Sequence, residues 1–502
     1  MRGERRQNHE AETIFVRDLR RALELDPFGP ERQAGLDVFD EDDGRKPRYG
    51  HGDLLLVRGR GGEPTASHHD TREPPAWRLL AIRRDPLIRT GPGNARPAGG
   101  CLHFRTLMLQ TTPFHSRTAP LVRAATWRRW AGYQVASAYD PQVDREYAAV
   151  RNAVALIDVS PLYKYRMTGK DATRVLDRTV TRDVARCGVG QVLYTPWCDA
   201  AGKIVDDGTL HRLDEGTYRL TSAEPNLRWL HLSAADLDVT IEDESARTAA
   251  LALQGPLARA VLEQVSPADF ARLRYFRLVQ TSVRGIPVTI SRTGYTGDLG
   301  YELWIEAARA IEVWDALVEV GQAYGITPAG IWALDLARIE AGLVMLGVDY
   351  HASHRAMIED QKSSPFELNL GWTVARTKGP FTGRDALEAE RARPGGWRFV
   401  GLDVEWETFE RLHRDRGLAP AVPTVAWRTS APVYHGRTQV GYATSGCWSP
   451  LLKRYLALAH VHAAHAAAGT RLRMEVTVEH VRRATPVTIR ALPFFDPERK
   501  RA

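Results

Sequence analysis

Apolar and polar residues fall into short periodic runs from about Thr111 onward. K-Y-R-M-T-G (164–169) alternates with the period of a strand, and D-A-T-R-V-L-D-R (171–178) follows with helical spacing. T-Y-R-L-T (217–221) predicts a strand, Asn226–Ala234 a helix, and L-D-V-T-I (237–241) another strand. A-L-A-L-Q-G-P (250–256) reads as a strand ending in a turn, with the helix A-R-A-V-L-E-Q-V (258–265) after it. Val283-Arg284-Gly285 marks a hairpin turn between F-R-L-V-Q-T-S-V and I-P-V-T-I. Residues 307–324 set Ile311, Trp314, Leu317 and Val318 on one face of an amphipathic helix, and G-I-W-A-L-D-L-A-R-I-E-A-G-L (330–343) predicts a second. Arg384–Arg398 is polar, carries P-G-G and reads as a linker. Beyond it, F-V-G-L-D-V (399–404), P-V-Y (432–434), Q-V-G-Y-A-T-S-G (439–446), L-R-M-E-V-T-V (472–478) and P-V-T-I-R (486–490) are short strands separated by turn signals, the pattern of a small β-barrel. The fold class is therefore α+β with a β-barrel at its C-terminal end.

Residues 1–107 lack this order. D-E-D-D-G-R-K-P-R-Y-G-H-G (41–53) and R-T-G-P-G-N-A-R-P-A-G-G (89–100) mix charge with Gly and Pro without a sustained period. The segment reads as a disordered extension, or as sequence upstream of the true start at Met108, which opens M-L-Q-T-T-P-F-H. Acidic residues from Glu4 onward argue against a transit peptide. With 502 residues the chain is long enough for two to four domains. Its net charge of +7 welcomes anionic small molecules or acidic partners and is too mild to argue for nucleic acid. Cys101, Cys187, Cys198 and Cys447 are scattered, which argues against structural zinc or a disulfide framework and suits a reducing, cytoplasmic setting. The histidines form no metal constellation, and no apolar run approaches the roughly 18 residues of a membrane span. No G-x-G-x-x-G fingerprint marks a dinucleotide site.

Two stretches carry chemistry. In S-R-T-G-Y-T-G-D-L-G-Y-E-L-W (291–304), glycines supply the positive φ of a tight turn, but Glu302 sits inside an apolar run. A carboxylate there is either solvated or holds a hydrogen-bond donor. In G-Q-V-L-Y-T-P-W-C-D-A-A-G-K-I-V-D-D-G-T-L (190–210), two strands joined by D-A-A-G set Tyr194 and Asp206 on facing arms. Adjacent aspartates on a strand point to opposite faces, so one of Asp206 and Asp207 can be solvated while the other looks inward. Alternatively both cap the turn. Asp335 and Arg338, one helical turn apart, read as a surface pair, and Glu340 as an ion-pair or capping residue.

W-A-G-Y-Q-V (130–135), E-Y-A-A-V-R-N-A-V-A-L-I-D-V-S (146–160), G-K-I-V-D-D-G (202–208), L-Q-G-P (253–256), T-G-Y-T-G-D-L-G-Y-E (293–302), R-I-E-A-G-L (338–343), S-P-F-E-L-N-L-G-W (364–372) and T-S-G-x-x-S-P (444–450) occur in this order. The set resembles the glycine-cleavage T-protein family of folate-dependent aminomethyltransferases. The resemblance implies a three-domain cloverleaf around a central folate channel, with residues 111–385 as the folate-binding region and 396–495 as the barrel domain. It implies tetrahydrofolate as the cofactor. Glu302 then matches the glutamate that reaches the pterin ring, whose N–H groups suit a bidentate acceptor. Tyr295 and Tyr194 match tyrosines lining the cavity. Asp206 matches the carboxylate beside the reactive nitrogens, where positive charge builds as the one-carbon unit is transferred.

There are departures. Glycine-cleavage enzymes commonly carry G-A-R-D where this chain has W-A-L-D, so a folate-contacting arginine becomes Leu334; the family's D-V-S-H-M becomes D-V-S-P-L, with Pro161 replacing the histidine. The A-L-D form is more similar to the folate domains of dimethylglycine and sarcosine dehydrogenases and to folate-dependent demethylases. Three functions follow: an aminomethyltransferase; a folate-dependent N-, O- or S-demethylase or methyltransferase; and a non-catalytic folate-binding helper, whose K-G-C-Y-x-G-Q-E motif is replaced here by K-S-S-P-F-E-L-N. The partners implied are a small methyl, methylene or aminomethyl donor and, with it, a lipoyl carrier protein or a partner dehydrogenase.

Overall fold

The computed structural model describes residues 109–501; the expectations for 1–107, including the start at Met108, lie outside the described residues. Strands β1 (Gln110–Thr111), β2 (Thr126–Trp130) and β3 (Tyr133–Ala138) form a small sheet of order β1–β3–β2. In chain order there follow β4 (Val154–Asp158), β5 (Tyr163–Thr168), β6 (Val192–Cys198), β7 (Ile204–Asp214), β8 (Thr217–Ser222), β9 (Thr240–Asp243), β10 (Thr248–Gln254), β11 (Leu278–Val283), β12 (Ile286–Ser291), β13 (Gly300–Glu306) and β14 (Ile326–Pro328). They sort into two sheets, one of order β11–β12–β13–β10–β4–β14 and one of order β6–β7–β8–β5–β9. The last six, β15 (Trp397–Val404), β16 (Ala431–His435), β17 (Thr438–Ser449), β18 (Arg454–His462), β19 (Arg471–Val478) and β20 (Val481–Arg490), close a barrel in the order β15–β18–β17–β16–β19–β20.

The alternation of the six-stranded sheet explains its two faces. Leu251 and Leu253 of β10 and Tyr301, Leu303 and Ile305 of β13 point one way, into a core shared with the helices Ala258–Val265 and Ala310–Gly321. Full burial of one such aliphatic side chain stabilises by about 1.5–3 kcal/mol. Ala250, Ala252 and Trp304 point the other way, toward the helix Ile331–Glu340. That helix lies against the helix Val143–Asn152, β3 and the barrel strand β17. It is buried on nearly every side, Trp332 being its one half-buried residue.

Two expectations are corrected here. Arg384–Arg398 is not a linker: Arg384–Ala392 is a helix and Trp397 already begins β15. Its single anchor, Leu387, is fully buried, so a polar stretch with one large apolar residue becomes helical through docking. Asp335 and Arg338 are not a surface pair. Both are buried, with Arg338 Nε 2.9 Å from Asp335 Oδ1, Arg338 Nη1 bonded to Asp349, and Arg428 Nε of the barrel region 2.7 Å from Asp335 Oδ2. Asp349 also accepts from the hydroxyls of Thr444 and Ser445. Glu340 is an ion-pair residue, 2.6 Å from Arg151 Nη2, and accepts from Tyr147 and Ser449. Glu340 directly, and Arg338 through Asp349, thus tie R-I-E-A-G-L to the barrel's T-S-G-x-x-S-P.

Candidate active site

The opposing faces of the two sheets meet in a layer that is polar rather than apolar. On the five-stranded sheet the registers Tyr194↔Thr209, Pro196↔Asp207, His211↔Arg219 and Lys164↔Thr221 place Tyr194, Asp207, Thr209, His211, Arg219, Thr221 and Lys164 on one face. His211 meets Trp304 of β13 edge-on, with ring centroids 5.0 Å apart, and the Arg219 guanidinium lies 5.4 Å from the centre of the same ring. Arg219 is held by Glu244, and buried Lys164 donates from Nζ to the carbonyls of Ser160 and Leu162, each at 2.7 Å. Burial, with Arg219 beside it, brings the Lys164 ammonium down to about 8, and burial lowers His211 to about 3, so that imidazole is neutral.

Glu302 lies on β13 two residues before Trp304 and on the same face. It is half-buried, and Thr293 Oγ1 donates to its Oε2 at 2.5 Å. Thr293 in turn meets Ser291 at 2.7 Å, and Trp304 Nε1 donates to Ser291 Oγ at 3.3 Å. Thr293 is the one hydrogen-bond donor to Glu302 among the described residues, so the carboxylate retains acceptor capacity. Burial raises its pKa above 4.5, and the Thr293 bond partly offsets this.

The glycines of this motif serve a purpose that local turn chemistry does not reveal. Only Gly297, at φ +72°, needs the left-handed region. Gly294 and Gly300 flank Gln254 of L-Q-G-P, and a Cβ on either would come within 2.1 and 2.2 Å of its Oε1. Gln254 Nε2 donates to the carbonyls of Thr293 (3.3 Å) and Tyr301 (3.2 Å), and its Oε1 accepts from Thr296 (2.8 Å). The amide clamps both ends of the loop that carries Tyr295. That residue is half-buried, and its hydroxyl donates to the Val344 carbonyl.

The structure brings Tyr194 together with Asp207, not with Asp206. Asp206 pairs with Trp197, faces the opposite side of the sheet and is fully buried. Its carboxylate is occupied by Asn226 Nδ2 at 2.7 Å and by the backbone N–H groups of Glu224 (3.0 Å) and Asp207 (2.7 Å), while Trp197 Nε1 donates to Asn226 Oδ1 at 3.2 Å. Asp207 receives a hydrogen bond from the Tyr350 hydroxyl, and the Tyr194 hydroxyl lies beside it. Asp206 is fully buried and Asp207 half-buried, and neither caps the turn; Asp199 does that, accepting from the N–H groups of Ala201 (2.9 Å) and Lys203 (3.0 Å). Burial raises both carboxyl pKa values. For Asp206 the Asp207 charge adds to this, and for Asp207 the two tyrosine bonds offset part of it. Tyr350 had no signal in the sequence beyond its residue type, and Thr293, though it opens the motif at 293–302, drew no role there, because each matters through a contact made in the folded chain. Leu334 is buried in the core between helix and sheet.

The chain is thus α+β, with two sheets facing across a layer that carries carboxylates and tyrosines, and a closed barrel at its C-terminal end. The GCVT N-terminal domain family matches residues 113–378, and the glycine cleavage T-protein C-terminal barrel domain matches residues 416–496. An aminomethyltransferase of Halothermothrix orenii is 33% identical over 354 residues, covering 70% of this chain and 90% of that protein. A trimethylamine-oxide aldolase of Ruegeria pomeroyi is 33% identical over 408 residues, covering 78% of this chain; the chain spans about half (48%) of that protein's length. The crystal structure of the glycine cleavage system aminomethyltransferase T from Bartonella henselae superposes with a TM-score of 0.66 at 23% identity, over 78% of this chain and 99% of that one, so the fold is shared. The protein belongs to the glycine-cleavage T-protein family and is an aminomethyltransferase-like enzyme. No helix among the described residues is long and apolar enough to cross a membrane.

Proposed function

We propose that the protein transfers a one-carbon group from a small-molecule donor to tetrahydrofolate in the cytoplasm, with residues 111–385 forming the folate site and 396–495 the barrel that closes it. The observation that carries this reading is Glu302: a half-buried carboxylate on the inner face with one hydroxyl donor and acceptor capacity to spare. It suits the adjacent N–H donors of a pterin edge. In this reading the half-buried rings of Tyr194 and Tyr295 contact the bound folate. When bound, tetrahydrofolate supplies the nucleophilic nitrogen on which the one-carbon unit ends.

The carboxylate presented to that nitrogen is Asp207 in this reading, a revision of the role expected for Asp206. Its raised pKa favours accepting a proton, and the two tyrosine hydroxyls hold it in place. Its charge also stabilises positive charge developing on nitrogen. Asp206 braces the strand from behind through Asn226. Holding donor and acceptor together supplies a further share of the rate.

A second reading is a folate-dependent N-, O- or S-demethylase, alone or with a partner dehydrogenase in place of a lipoyl carrier protein. Leu334, buried where glycine-cleavage enzymes carry an arginine, favours it, as does the similarity to a trimethylamine-oxide aldolase. Purified protein mixed with tetrahydrofolate and a panel of aminomethyl, methylamine, methyl-sulfur and methoxy donors, followed by mass spectrometry of methylene- and methyl-folate, separates the two. No folate product with any donor would overturn both.

A further inference from the structure

Two barrel strands grip the residue that precedes Tyr350. Strand β17 carries a bulge: Ala443 pairs with Ala459 and Ser445 with Leu458, so Thr444 is left over between them. Along a regular strand two consecutive side chains point to opposite faces, and a bulge re-aims one of them. Here the hydroxyls of Thr444 and Ser445 both donate to Asp349 Oδ1, that of Ser445 at 3.0 Å. Asp349 Oδ2 accepts from Arg338 Nη1 and from the backbone N–H of Met345, the latter at 2.9 Å. The Asp349 carbonyl accepts from Nε2 of His460 on β18 at 2.6 Å. Asp349, Arg338, Thr444, Ser445 and His460 are all buried. Asp349 is thereby fixed from the helix Ile331–Glu340 and from the barrel at once. Tyr350 follows about 3.8 Å further along the backbone. It too is buried, and its hydroxyl donates to Asp207 Oδ1. Beyond it, the N–H of Ser353 donates to the Ile204 carbonyl at 2.8 Å, which pins the same segment to β7, the strand of Asp207.

Given Asp207 as the reacting carboxylate, the reading on which this rests, we propose that Tyr350 is a positioning residue through which the barrel sets the orientation and ionisation of Asp207. A hydrogen bond donated to a carboxylate favours its ionised form and limits its rotation. Burial and the adjacent Asp207 charge push the Tyr350 hydroxyl well above the usual phenol value, so it stays a donor. Further titratable groups beside Asp207 are Tyr194 on β6, Tyr295 on the loop before β13 and, on the far face of β7, Asp206. Tyr194 is carried by the strand next to Asp207. Tyr350 is carried by a segment that the barrel holds, so a displacement of the barrel reaches Asp207 through it.

The test is a pH titration of the full chain labelled with carbon-13 at the aspartate carboxyl carbons and read by NMR. The Asp207 signal is the one missing from Asp207→Asn. Tyr350→Phe removes only the hydroxyl and should raise the Asp207 midpoint by about one pH unit. T444V/S445A should raise it in the same direction by a smaller amount. Y350F/T444V/S445A should raise it no further than Tyr350→Phe alone, because the groups act along one chain of contacts. Thr444→Ser keeps the hydroxyl and should keep the wild-type midpoint. If T444V/S445A does not fold, Thr444→Val alone carries the same expectation. A base works ionised, so the acid limb of turnover should move to higher pH in step with the midpoint. A midpoint unmoved in Tyr350→Phe would overturn the proposal. So would one that moves in Tyr350→Phe but not in the barrel variants. The titration needs no folate, so these outcomes are separate from the reading of Asp207, which falls if Asp207→Asn turns over at the wild-type rate.

Discussion

One face of the five-stranded sheet packs Tyr165, Met167, Leu193, Trp197, Leu210 and Leu220 into an apolar core. The other lays Lys164, Tyr194, Asp207, Thr209, His211 and Arg219 against the six-stranded sheet. Both faces are enclosed, so burial does not tell them apart. On the first, contact area and dispersion hold the layers together. On the second, charged groups are held by specific partners, as Arg219 is by Glu244, although Arg219 Nη1 and His211 Nδ1 are buried without a hydrogen bond. A layer of that kind stabilises less than apolar packing of the same volume, and losing one partner from it is expensive. Under the proposed function, the difference separates the side of the sheet that maintains the fold from the side that meets the folate.

The largest test of this contrast is Trp197→Ala on the apolar face. It removes a fully buried ring and the bond to Asn226, and should cost about 3–5 kcal/mol in urea unfolding. A loss below about 1 kcal/mol would mean that face is not the structural one.

Asp207→Asn and Asp206→Asn test the polar side and the revised assignment together. Asp207→Asn should lower turnover by about 100-fold, or about 2.7 kcal/mol of barrier, with folding stability unchanged or slightly raised. Asp206→Asn should show the reverse: turnover within a few-fold of wild type, and stability lower by about 1–3 kcal/mol, because the new amide opposes the donors of Asn226 and Glu224. Equal turnover losses in the two variants would erase the distinction between the faces.

Glu302→Gln should weaken tetrahydrofolate binding by about 1.5–3 kcal/mol, the range for hydrogen bonds to a charged group. Unchanged affinity by calorimetry would remove Glu302 from the site. The smallest effect is on pH dependence. Donors on the ligand favour the ionised carboxylate, and burial has raised the pKa of Glu302 above 4.5. Affinity is therefore full above the raised pKa and is lost as pH falls through it, by up to about tenfold per unit. In Glu302→Gln that portion of the acid limb should disappear; an identical profile would assign the titration to another group.

Much of the site was legible because its residues sit in motifs with strong local grammar. Glu302 stood out as a carboxylate inside an apolar run, left open there between a solvated and a donor-holding role, and Tyr194, Tyr295 and the aspartate pair fell in strands and turns read as such. The helix Arg384–Ala392 was not legible, because its stability comes from docking Leu387 rather than from its own pattern. Nor was β18, whose R-Y-L-A-L-A-H-V-H becomes an almost wholly buried barrel strand only when neighbours close on both sides.

By itself the sequence determined the class of fold, the order of the elements in the recognisable motifs, the candidate carboxylates and tyrosines, and the family. Only the tertiary structure decided which of Asp206 and Asp207 faces Tyr194, since alternation assigns two residues to two faces without saying which face meets a ligand. It also decided that Asp335 and Arg338 are buried, because a three-residue spacing is the same on a wet helix and a dry one. And it decided why Gly294 and Gly300 lack side chains. The group that needs the space is Gln254, some 40 residues away in sequence and adjacent only after β10 and β13 have paired.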